Sequence, residues 1–67
     1  MKKYKFLIPE TGHERVYNSF AVCKRQAVRC MKSLMKRGLI FGKPEIEFYS
    51  IENGIKYFIP CETPNLD

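Results

Sequence analysis

The chain has 67 residues and a mass of 7.9 kDa, which is one small domain and too little for a large enzyme. Its hydrophobic content of 45% is too high for a disordered tail, and no apolar run approaches the roughly 18 residues of a membrane helix. Twelve Lys and Arg against seven Asp and Glu give a formal net charge of +5, which favours anionic partners.

Lys2 to Pro9 reads as a strand. Tyr4, Phe6 and Ile8 alternate with Lys3, Lys5 and Leu7, the period of a half-buried strand. The start Met1-Lys2-Lys3-Tyr4-Lys5 is basic, but the apolar run Phe6-Leu7-Ile8 ends at Pro9 and is too short for a secretory leader. Thr11-Gly12 marks a turn, and Glu14 to Asn18 reads as a short second strand pairing with the first.

Asn18 and Ser19 are both good helix N-caps, and a helix is expected from Phe20 to Arg37. Gly38 is its stop. At 100° per residue, Phe20, Cys23, Ala27, Cys30, Met31 and Leu34 share one side, widened by Val28 and Met35. Arg25, Arg29, Lys32 and Lys36 lie opposite.

Leu39 to Pro44 is a connection held by its apolar residues. Glu45 to Ile51 and Ile55 to Pro60 then read as two strands of a hairpin. The Asn53-Gly54 dipeptide between them supplies the two positive φ angles of a type I′ turn. That turn sets Phe48 opposite Ile59, Ser50 opposite Tyr57 and Glu52 opposite Ile55 on one face, shared with Ile46. Tyr49 opposite Phe58 and Ile51 opposite Lys56 occupy the other face. Residues 62–67 read as a flexible tail. The expected architecture is a small α+β domain spanning residues 1–67. An antiparallel sheet of three to four strands, in β(β)αββ order, carries one amphipathic helix on one face.

Ordering a residue costs roughly 1.5 kcal/mol, which so small a core barely offsets, so tight packing or self-association is the expected remedy. The three cysteines, Cys23, Cys30 and Cys61, form no Cys-x-x-Cys pair. An odd count points to free thiols in a reducing compartment, and the chain is read as cytoplasmic. Cys23 and Cys30 sit about 10.5 Å apart along the helix, too far for a disulfide. A zinc site would need these cysteines and His13 to converge, and no spacing is of the zinc type, so no metal or cofactor is expected. His13 beside Glu14 has no nucleophile or phosphate loop to serve, and Glu45 and Glu47 read as solvated charges. No catalytic residues are assigned.

Charge is segregated along the chain. From Arg15 to Lys43 there are eight basic residues and no acid, whereas Pro44 to Asp67 holds five acids and one base, Lys56. Arg25, Arg29, Lys32 and Lys36 form a ladder about 16 Å long. Cations at this spacing repel one another by about 0.2–0.5 kcal/mol per pair, so the stripe works against helix stability and favours a phosphate-bearing partner. A soluble face with cations near the helix C-terminus is the plainer reading. Whether the acidic last third folds over the ladder is left open by the sequence.

The leading expectation is a non-enzymatic module that binds nucleic acid through Arg25, Arg29, Lys32 and Lys36, flanked by Lys24 and Arg37. The alternative is a protein-interaction module. It would dock by the basic helix, by an exposed sheet edge, or by the sheet face of Tyr49, Phe58, Ile51 and Lys56, to which Lys3, Lys5 and Leu7 add if the first strand joins the same sheet, on an acidic or hydrophobic protein surface or a second copy. Lys24-Arg25-Gln26-Ala27 resembles the basic start of the last helix of double-stranded-RNA-binding domains. The resemblance covers one helix: there the helix follows three strands, here the hairpin follows the helix, and that family's histidine-containing loop is missing. None of its RNA contacts are carried over. The size and element order also resemble small phage-encoded proteins that inhibit or adapt a host enzyme, a likeness without a motif.

Overall fold

A computed structural model describes residues 2–42 and 44–62. Strand β1 (Lys3–Ile8) and strand β2 (His13–Tyr17) precede helix α1 (Phe20–Lys36), and strands β3 (Glu47–Glu52) and β4 (Ile55–Ile59) follow it. The four strands form one antiparallel sheet in the order β2-β1-β3-β4. The strand, helix and hairpin elements expected from the sequence are all present, each with ends shifted by no more than two residues. Beyond Glu62 the expected tail lies outside the described residues.

Local chemistry explains the boundaries. Ser19 is the N-cap, and its hydroxyl accepts from the Val22 amide at 3.5 Å, the long end of a hydrogen bond. At the other end, Gly38 (φ 76°) donates to the Met35 carbonyl and Leu39 to the Leu34 carbonyl. That bond pair is a Schellman stop, and the left-handed position it demands is why a glycine follows Arg37. The hairpin turn has positive φ at both Asn53 (52°) and Gly54 (78°), the type I′ signature. Its register is the expected one, with Phe48↔Ile59, Tyr49↔Phe58, Ser50↔Tyr57, Ile51↔Lys56 and Glu52↔Ile55.

The core lies between α1 and one sheet face. Cys23, Ala27, Met31 and Leu34 of α1 are buried against Phe6, Ile8, Ile46 and Phe48, with Ile40 closing the group. Phe20 ties helix to sheet: its ring lies 5.4 Å from Tyr4 and 5.7 Å from Phe48. Two expectations on the helix side are corrected. Met35 is 39% exposed and outside the buried stripe, because the stripe is narrower than the sequence pattern implies. In the connection after α1 only Ile40 is anchored, whereas Leu39 and Phe41 face solvent.

The helix is not centred on the sheet. It lies over β1 and β2, while β4 is an open edge. Along the sheet, the helix end and the hairpin end therefore meet solvent differently.

Candidate nucleic-acid interface

The ladder residues Arg25, Arg29, Lys32 and Lys36 are all exposed on the outward side of α1, opposite the buried Cys23-Ala27-Met31-Leu34 stripe. Arg37, the helix C-cap, is exposed beside them, where a cation meets the negative end of the helix. Lys24 is half-buried and its ammonium lies 5.5 Å from the Phe20 ring, so it flanks the ladder with a partner already in place. Gln26 is also half-buried, which limits it as a reader of base edges.

Among the described residues the single ion pair is Lys5 Nζ to Glu14 Oε2 at 3.0 Å, on the sheet. No described carboxylate pairs with the ladder. Glu45, Glu47, Glu52 and Glu62 sit on or beside β3 and β4, whereas the helix packs over β1 and β2. Up to Glu62 the acidic third therefore does not cover the basic helix.

The sheet face away from the helix is organised around Tyr49. Phe58 meets Tyr49 edge-on at 5.7 Å, and Lys56 and Lys5 stand 4.7 Å and 5.9 Å from its ring. The Tyr49 hydroxyl donates to Glu47 Oε1 at 2.7 Å, and that bond to a carboxylate pushes the tyrosine pKa up. Tyr49 and Ile51 are half-buried, whereas Phe58 is 59% exposed. The residues expected to share this face thus do share it. Lys5 and Glu47 lie on it too, as strand alternation implies once β1 pairs with β3 and sets Lys5 opposite Tyr49.

Two features of the hairpin end have no local sequence signature. A cleft of about 350 Å³ is lined by Glu45, Ile46, Glu47, Phe58, Cys61 and Glu62, so three acidic residues line it together with apolar ones. The acid run after Pro44 was the available signal, but only the folded hairpin brings Glu62 to Glu45. Ile55 and Tyr57, on the helix-side face of β4, are 54% and 51% exposed, because α1 is offset toward β1 and β2. Strand alternation assigns their face; it carries no information on where the helix lies along the sheet.

The three thiols are free. Cys23 is buried under the helix and burial pushes its thiol up to about 11, which makes it a poor nucleophile. Among the described residues no three His, Cys, Asp or Glu side chains come together as metal ligands, and no helix is long and apolar enough to cross a membrane. No protein family, curated protein or solved structure matches the chain.

Proposed function

We propose that this chain is a non-enzymatic nucleic-acid-binding module that contacts phosphates through the outward face of α1. One observation carries the reading: four exposed cations at i, i+4, i+7 and i+11 with no described carboxylate paired to them. A self-repelling stripe is stabilised by a polyanion, which gains charge contacts and releases counterions on binding. Arg25, Arg29, Lys32 and Lys36 make the central contacts, and Lys24 and Arg37 extend them. Recognition is electrostatic and weakly sequence-specific, because the stripe offers phosphate ligands and few groups suited to base edges. Three free thiols fit work in a reducing compartment such as the cytoplasm.

A second reading rests on the exposed Phe58 packed on Tyr49. That face would dock a protein, as a small inhibitor or adaptor of a host enzyme does. Paired variants separate the two. Arg29→Glu with Lys32→Glu is expected to abolish oligonucleotide binding while leaving the circular dichroism spectrum unchanged. Tyr49→Ser with Phe58→Ser is expected to leave it intact. Retention of full binding by the charge-reversed protein eliminates the helix reading.

A further inference from the structure

We propose that the chain forms a two-fold symmetric dimer by pairing β4 with β4 of a second copy, in antiparallel register about Tyr57. Strand β4 is an edge, and its sequence Ile-Lys-Tyr-Phe-Ile sets Ile55, Tyr57 and Ile59 on one face and Lys56 and Phe58 on the other. Ile55, Tyr57 and Phe58 are each more than half exposed. Protected edges carry charges, prolines or bulges; this one has a single lysine, with Pro60 just beyond its end.

The register follows from backbone geometry. In a hairpin with a two-residue turn, the flanking pair Glu52 and Ile55 is hydrogen-bonded, and bonded pairs then alternate. Tyr57 and Ile59 thus turn their backbone groups toward β3, and Lys56 and Phe58 turn theirs to the open edge. Centring on Tyr57 sets Lys56 against Phe58 of the second copy, twice, and satisfies every outward N–H and C=O of those two residues. Centring on Lys56 places two ammonium groups directly opposite, which is unfavourable. Centring on Phe58 places Lys56 against Pro60, which has no N–H to give.

Side chains agree with the same register. On the helix side, Ile55 meets Ile59 of the second copy and Tyr57 meets Tyr57, all apolar or aromatic. On the other side, Lys56 of the second copy lies beside Phe58. Phe58 is one wall of the cleft bordered by Glu45, Glu47 and Glu62, so a cation from each copy is delivered next to the other's acidic cleft. The two α1 helices, over β1 and β2, remain at opposite ends of an eight-stranded sheet, which keeps their positive faces apart. One short strand per copy is a small interface, so the dimer is concentration-dependent.

The test is the mass in solution by sedimentation equilibrium, from micromolar to submillimolar chain. The expected result is a shift from the 7.9 kDa monomer toward twice that mass. Tyr57→Lys, which sets two ammonium groups on the axis, is expected to hold the protein monomeric. Cross-linking decides the register independently of folding losses. In a Cys61→Ser background, Tyr57→Cys places two thiols across a non-bonded pair, with Cα atoms about 4.5 Å apart and within disulfide range. It is expected to oxidise to a disulfide dimer at least tenfold faster than Lys56→Cys, whose thiols are two residues out of step. A single monomeric mass throughout overturns the proposal. So does a dimer that survives Tyr57→Lys, or equal cross-linking of the two cysteine variants.

Discussion

The two edge strands are equally exposed and differ in what they expose. Both β2 and β4 have four exposed residues and one half-buried one at the end. Strand β2 carries His13, Glu14 and Arg15, holds the Lys5–Glu14 ion pair and lies under α1. Strand β4 carries two isoleucines, a tyrosine, a phenylalanine and one lysine, with no helix above them. Exposure alone therefore does not distinguish a protected edge from an available one; the residues on it do. The same contrast runs through the molecule. Its helix end meets solvent with unpaired cations, and its hairpin end with aromatics and carboxylates, so salt should weaken contacts at the first end far more than at the second.

The strongest way to break that contrast is to remove what joins the two ends. Phe48 is buried, touches Phe20 of α1 and lies opposite Ile59 of β4. Phe48→Ala is expected to cost roughly 3–5 kcal/mol, a large share of the stability of so small a domain, and to lower the urea midpoint accordingly. Both ends should be lost in one transition. Two separate transitions would show that the ends fold independently.

A smaller effect sharpens the account of the helix end. The Cys23 thiol is raised from 9.0 to about 11, so the unfolded chain releases this proton first. Stability from Cys23 is complete below pH 9 and declines as pH rises toward 11. The expected loss is about 2–3 kcal/mol across that interval. Cys23→Ala should flatten this part of the pH–stability curve. In the native state Cys61 should react with a thiol reagent well before Cys23; equal rates would contradict the buried placement.

The smallest effect concerns the cap. Ser19→Ala is expected to cost about 0.5–1 kcal/mol, since its hydrogen bond to Val22 is long. Thermal melts should shift by only a few degrees. A loss as large as that at Phe48 would mean that the helix end depends on its cap more than on its packing.

These placements were legible in the sequence to different depths. The register of β3 with β4 followed from Asn53-Gly54, because a two-residue turn fixes every pair beyond it. The buried helix stripe followed from periodicity, as did the exposed ladder opposite it. The offset of α1 toward β1 and β2 was not legible, since periodicity gives a helix face and no position across a sheet. The exposure of Ile55 and Tyr57 depends on that offset, and so was hidden as well. The cleft of Glu45, Glu47 and Glu62 joins residues up to 17 positions apart, which no local pattern relates. Apolarity marks Leu39, Ile40 and Phe41 alike as anchors, yet only Ile40 reaches the core.

The central claim is that the ladder on α1 binds phosphates. Fluorescence anisotropy with labelled single- and double-stranded oligonucleotides, titrated across salt concentrations, tests it most directly. Each neutralised phosphate on duplex DNA contributes roughly 0.9 to the slope of log K against log salt, so the four ladder contacts alone predict a slope of about −3 to −4, steepening toward about −5 with Lys24 and Arg37. Arg29→Glu with Lys32→Glu should remove the binding and its salt dependence together. Absence of binding at low salt, or binding with a flat salt response, would contradict the claim.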